Sequence, residues 1–163
     1  MSKNFLIGLG VGLAVVLVIL GAVLFMQRGV RTGLAGNILK VRTAPLDENS
    51  SIAVLDFRFQ NVGDVSFVVR TVSVILEEKD GNQFQGATVA EMDAKRLFEG
   101  LPLLGQKFNQ TLLMKDKIAV GETVDRMVAA RFEAPESRLE NRKRFLLRIE
   151  DVSGPVREFA EQR

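Results

Sequence analysis

The chain of 163 residues carries 22 Lys and Arg against 20 Asp and Glu, and it contains no His, Cys, Trp or Tyr. Without His or Cys, the Ser-His-Asp and Cys-His catalytic arrangements and the ordinary zinc sites are excluded. Five of the basic residues precede Pro45, which leaves 22 − 5 = 17 basic against 20 acidic residues beyond it, a net charge of −3. This slightly acidic part argues against a nucleic-acid-binding protein, which needs a basic face. We therefore predict a non-enzymatic protein with no catalytic, metal-binding or cofactor-binding residues.

The N-terminal segment is strongly apolar. Phe5–Met26 is a run of 22 residues without a charged side chain, about 33 Å long as a helix and so long enough for a hydrocarbon core of about 30 Å. A cleaved signal peptide would have an apolar region of only about 7–15 residues and a small-residue cleavage site. The run therefore predicts an uncleaved transmembrane anchor over residues 1–27, followed by a juxtamembrane stalk over 28–37.

This anchor implies a single-pass protein of the cell (inner) membrane, with the lipid bilayer as a partner. The excess of Lys and Arg after the run favours a cytoplasmic domain, whereas the very short N-terminus is typical of a signal-anchor. We expect the domain to lie on the periplasmic, extracytoplasmic side. Gly8 and Gly12 have the spacing of a helix–helix contact, which predicts a possible homodimer through the transmembrane helix.

The rest of the chain has the pattern of short strands and turns. Leu55, Phe57 and Phe59 alternate with polar neighbours, as in a strand with one buried and one wet face. About seven such strands with frequent turn signals are typical of an antiparallel β-sandwich. We predict that the sandwich spans 38–153 and that residues 154–163 form a charged tail.

Several segments resemble a known pattern. They are Phe59-Gln60-Asn61-Val62-Gly63-Asp64, Val72-Ser73-Val74-Ile75-Leu76, the Asp80-Gly81 hairpin, Ile118-Ala119-Val120-Gly121-Glu122-Thr123 and Phe132-Glu133-Ala134-Pro135. Together they resemble uncharacterised bacterial membrane-anchored proteins with an immunoglobulin-like sandwich, and in outline the late-embryogenesis-abundant (water-stress) sandwiches. The resemblance implies an immunoglobulin-like fold and an extracytoplasmic location, and it carries no catalytic residues.

One segment differs from this pattern. Ala87–Gly100 has apolar residues at helical spacing, which predicts a short helix within an insert over Gln85–Leu104. An insert longer than a turn requires is often functional. Its apolar residues either cover an open part of the sandwich or form a partner surface, and they are Leu97, Phe98, Leu101, Leu103 and Leu104.

Three functions remain open. The first is a membrane-tethered sandwich that serves as a protein-interaction or envelope-structural module, with another envelope protein as its partner. The second is an accessory subunit of a membrane secretion or motility complex, and the third is a sandwich that senses a small ligand. Asp56 lies beside Arg58 on the predicted wet face of its strand, so we interpret it as a solvated carboxylate rather than a catalytic one.

Overall fold

The computed structural model describes residues 3–27 and 31–162. The chain divides into two units, Met1–Arg31 and Thr32–Arg163. The first contains the helix α1, Lys3–Gln27, and the second contains two further helices and eight strands. In chain order, the elements of the second unit are β1 (Leu34–Pro45), β2 (Ser51–Asn61), β3 (Phe67–Glu77), β4 (Gln83–Thr88), α2 (Glu91–Gly100), a 3₁₀ turn (Pro102–Leu104), β5 (Lys117–Ile118), β6 (Thr123–Phe132), α3 (Glu136–Glu140), β7 (Arg144–Asp151) and β8 (Val156–Ala160).

The finding for α1 corrects the prediction of a membrane anchor. Among the residues that the structure describes, no helix combines the length and the apolar content needed to cross a membrane. The predictions of a transmembrane helix, a single-pass signal-anchor and a cell-membrane location are therefore overturned, whereas the lipid bilayer as a partner stays a prediction.

The second unit is mainly β, as predicted, but it is not a sandwich. Its strands form one antiparallel sheet in the order β1-β2-β6-β4-β3-β7-β8, with β5 paired to β3. The sheet curls until its edge strands lie near each other. Arg157 Nη2 donates to the Thr32 carbonyl at 2.6 Å across this seam, and Phe59 stacks on Phe159.

Strand β4 is the reason that a sandwich was the wrong expectation. Its first four residues pair with the end of β3, and its last two, Ala87 and Thr88, pair with β6. It thereby joins two groups of strands that a sandwich would keep apart. The predicted insert begins inside this strand, and the predicted helix is present over a shorter range, Glu91–Gly100.

Two boundaries also differ from the prediction. β1 begins at Leu34, inside the segment that was assigned to the stalk, and residues 28–30 of that segment lie outside the described part of the chain. The segment interpreted as a charged tail contains β8, which pairs with β7 and buries Phe159 in the core.

The main core lies inside the curled sheet. It contains Phe57, Phe59, Phe67 and Phe145, each almost fully buried. On β2, inward-facing residues alternate with outward-facing ones, as the strand period requires. The outward side of β2 is also buried at Ile52, Val54 and Asp56, so a second layer must cover it.

Candidate binding site

The second layer is the cap, which we define as residues 91–109: α2, the 3₁₀ turn and the loop that follows them. Ala94, Leu97 and Phe98 recur at helical spacing and give α2 one apolar face, which Leu101 extends directly after the helix. The helix ends at Gly100 because Pro102 cannot continue it. Two acidic residues in its first turn suit the positive end of the helix dipole.

The cap packs on the outer face of β1, β2 and β6. This contact is a separate hydrophobic cluster whose fully buried members are Ala44, Ile52, Val54, Ala94, Leu104, Met127 and Ala129. Ile52 and Val54 have the opposite parity to the Phe57 and Phe59 side chains of the main core, so β2 is apolar on both faces. The cap therefore completes the fold by covering a face that would otherwise meet water.

The five predicted partner-surface residues have three different environments. Leu104 is fully buried in the cluster beneath the cap. Leu97, Phe98 and Leu101 are half-buried and pack against the same cluster. Leu103 is 76% exposed and points away from it. Covering the sheet accounts for Leu104, while the half-buried residues have part of their surface left for another molecule.

A buried ion pair fixes the cap to the sheet. Arg42 of β1 contacts Asp56 of β2 at 2.6 Å, and their side chains are only 8% and 6% exposed. Arg42 Nη1 also donates to the carbonyls of Leu104 and Gln106, at 2.6 and 2.7 Å. Asn109 Nδ2 donates to the second carboxylate oxygen of Asp56 at 2.9 Å. These bonds connect two strands with three positions of the cap.

The aromatic residues of the cap complete this arrangement. The Arg42 guanidinium lies 4.9 Å from the ring centroid of Phe98 and 5.7 Å from that of Phe108. Arg is suited to such a site because its planar cation stacks on rings while its edge donates hydrogen bonds. The interpretation of Asp56 as a solvated carboxylate is thus wrong, since its partner is Arg42 on the next strand rather than Arg58.

A second link ties the start of α2 to the end of the cap. Lys107 Nζ donates to Glu91 at 2.7 Å and to the Asn109 carbonyl at 3.0 Å. The backbone N–H of Thr111 donates to the other Glu91 oxygen at 3.1 Å. Burial acts to raise the pKa of Glu91, but the hydrogen bonds from Lys107 and Thr111 outweigh it, and the net pKa lies below its ordinary value. Glu91 is therefore a carboxylate at neutral pH.

Between α2 and the sheet lies an open depression of about 620 Å³, the cap groove. One side is formed by Leu97 of α2 and by Leu101, which follows the helix, and the other by apolar residues of the sheet and its connecting loops. Gly100 leaves open space in it, since a Cβ atom there would meet nothing within 4 Å. The lining residues are Leu46, Ile52, Val89, Asp93, Arg96, Leu97, Gly100, Leu101 and Arg131.

The described side chains show no cluster suited to a metal ion. No group of three or more acidic residues within 3–27 and 31–162 is arranged to hold a metal ion. Of the predicted helix-contact residues, Gly12 lies in α1 with open space around it. The surroundings of Gly8 lie outside what the structure describes, so the homodimer stays a prediction.

Comparisons with known proteins add little. No protein-family model matches the chain, and no curated protein sequence matches it. One solved structure, the X-ray structure of Northeast Structural Genomics Consortium target SoR45, is similar over 83% of each chain with 13% sequence identity and a TM-score of 0.32. That score is too low to support an argument about fold or function. The resemblance to bacterial immunoglobulin-like proteins therefore stays a prediction.

Proposed function

We propose that this protein is a non-enzymatic protein-interaction module that binds an apolar segment of a partner protein in the cap groove. The observation that carries the proposal is the groove itself, an open apolar depression beside a helix that is anchored to a curled sheet. The residues that dominate protein–protein binding commonly place a large side chain in an apolar pocket of the partner.

The rigidity of the cap supports this proposal. The hydrogen bonds of Arg42 hold the cap near Leu104 and Gln106, and the Glu91–Lys107 link holds its two ends together. A groove held in shape before binding loses little conformational entropy when a partner arrives. Filling it with one large apolar side chain contributes about 1.5–3 kcal/mol.

A groove-filling substitution tests the proposal. Gly100→Phe should occupy the groove without a clash, because the space around the Gly100 Cβ position is open. A photoreactive residue in place of Asp93, at the groove, should form covalent adducts with another protein in the cells that make this chain. The adducts should vanish when Gly100→Phe is added.

Two controls make this experiment decisive. Met92 is exposed on the same helix but does not line the groove, so Met92→Phe should leave the adducts unchanged. A photoreactive residue at the exposed Val152, far along the sequence in the β7–β8 turn, reports non-specific contact. Adducts that form equally at both positions, or that persist in Gly100→Phe, would contradict the proposal.

A second candidate function is the binding of a small apolar ligand. Its support is the groove volume of about 620 Å³, since small-molecule sites commonly occupy about 300–1,000 Å³ and have mostly apolar linings. Native mass spectrometry of the full-length protein distinguishes the two functions. A bound small molecule that is lost in Gly100→Phe, together with no protein adducts, would favour this second function.

A further inference from the structure

Two arginines lie at the cap groove, and they come from different elements. Arg96 belongs to α2 and Arg131 to β6, so the two cations flank the groove from the helix and from the sheet. The charged residues that line the groove are these two arginines and Asp93. An apolar ligand that enters the groove therefore brings its flanking groups close to guanidinium groups.

The ion pairs that these arginines make within the chain are weak ones. Arg96 contacts Asp93 at 3.5 Å, and Arg131 contacts Glu133 at 3.2 Å. The arginine side chains are 74% and 49% exposed, respectively. Exposed single contacts of this kind contribute little to stability, because water and salt screen the two charges. An incoming carboxylate can replace them at small cost, and it can accept two parallel hydrogen bonds from the Arg fork.

We infer that the segment recognised by the cap groove is acidic as well as apolar: a stretch of a partner protein in which a large apolar side chain is flanked by Asp or Glu. This inference rests on the proposed function and adds the chemistry of the partner. The apolar side chain occupies the space beside Leu97 and Leu101, and the carboxylates pair with Arg96 and Arg131. A carboxylate on an acyl chain has related chemistry, and the experiment includes it as a separate arm.

The test begins with random peptides of about a dozen residues, displayed on phage and selected on the full-length protein. Gly100→Phe serves as the counter-selection target, so that only peptides that need the groove are retained. We expect the retained peptides to combine a large apolar residue with Asp or Glu. A synthetic version of one such peptide then gives a dissociation constant, and laurate is measured in parallel.

Substitutions of the two arginines give the expected magnitudes. Arg96→Gln and Arg131→Gln should each weaken binding of the acidic peptide by about tenfold, which corresponds to one lost charge-assisted contact. Arg131→Glu should restore affinity for a counterpart peptide in which the acidic residue is changed to Lys. Arg148→Gln is the control, because Arg148 also has an exposed ion pair, with Glu158 at 2.6 Å, but does not line the groove.

The outcomes separate this inference from the proposed function. If peptides are retained but bind equally well to the Gln variants, the groove binds apolar segments and the acidic preference is overturned. If no retained peptide depends on the groove, the proposed function itself fails. If laurate alone binds, and loses affinity in the Gln variants, the occupant is a small amphipathic anion and a protein segment is ruled out.

Discussion

Replacing Asp56 with Asn should destabilise the domain far more than the same change at a surface carboxylate. The substitution keeps the shape of the side chain but leaves the Arg42 guanidinium, 8% exposed, without its counter-charge. Removing one member of a buried ion pair costs about 3–5 kcal/mol, because the remaining charge stays buried without compensation. Arg42 keeps its two carbonyl acceptors, so we expect a loss near the lower end, about 3 kcal/mol.

The matched control is Asp125→Asn. Asp125 accepts two hydrogen bonds from Arg58, at 2.6 and 2.7 Å, but their side chains are 39% and 55% exposed, respectively. The hydrogen bond and charge of Arg58 lower the pKa of Asp125, yet solvent screening limits an exposed pair to about 0–1 kcal/mol. The two substitutions are chemically identical and differ in burial.

Urea unfolding followed by far-ultraviolet circular dichroism measures both variants, since the chain has no Trp or Tyr for a fluorescence assay. A loss of about 3 kcal/mol should lower the melting temperature by about 10 °C in a domain of this size. The double variant Arg42→Met with Asp56→Leu should recover most of the loss, because an apolar pair replaces both charges. If Asp56→Asn stays within about 1 kcal/mol of Asp125→Asn, the buried ion pair does not hold the cap on the sheet.

The remaining predictions concern packing and pH. Gly86→Ala should lower the unfolding free energy by about 1–3 kcal/mol, because the added Cβ atom would lie 2.7 Å from the Phe132 ring. Gly100→Ala should be tolerated, because its Cβ position is open. Thermal melting of the two variants tests this difference. Leu104→Ala should cost about 2–5 kcal/mol and Leu103→Ala less than about 0.5 kcal/mol, as their burial differs completely, and equal losses in urea would refute the packing described for the cap. Hydrogen bonds from Lys143 and Arg144 lower the pKa of Glu77, so the stability that the Glu77 carboxylate contributes should be present near neutral pH and lost on acidification. In Glu77→Gln, the urea concentration at the unfolding midpoint should therefore fall less steeply as the pH is lowered.

The strands with strong local patterns were predictable from the sequence. β2 is the best example, because Leu55, Phe57 and Phe59 alternate and all face the core. The helix of the insert was also predictable from its apolar spacing. The spacing of apolar residues and the turn residues between elements indicate which face of an element is buried, and for β2 and α2 the structure agrees with that indication.

The pairing of the strands was not predictable in the same way. A sandwich and one curled sheet share the same alternation and the same turns, so the difference lies in which strands are neighbours. β4 decides this, and its sequence, Gln83–Thr88, has little apolar alternation and an internal Gly86. Gly86 is required there because the Phe132 ring occupies the space of a side chain. Because the sequence of β4 is set by this close contact with the Phe132 ring, it shows no apolar alternation from which the strand could be predicted.

The environment of Asp56 shows why the candidate site was only partly predictable. Its neighbours on β2 suggest a polar face, and a single strand cannot reveal a cover contributed by residues about fifty positions away. The pairing of β1 with β2 does indicate a cationic partner for Asp56. β1 places Lys40 opposite Asp56 and Arg42 opposite Val54, so two cations lie on the neighbouring strand. An acid and a base on adjacent strands of a hairpin, beneath an apolar insert, form a pattern worth seeking in similar chains.

The contacts that hold the cap on the sheet also shape the groove that we propose as a binding site. The apolar face of the cap covers Ile52 and Val54, which removes the need for a second sheet on that side. Apolar packing is not directional, so it does not by itself fix where the cap lies on the sheet. The hydrogen bonds from Arg42 to the carbonyls of Leu104 and Gln106 fix both the distance and the orientation of the cap. The width of the cap groove therefore depends on a residue that does not line it. On this argument, Asp56→Asn should weaken partner binding as well as folding, even though Asp56 contacts no partner.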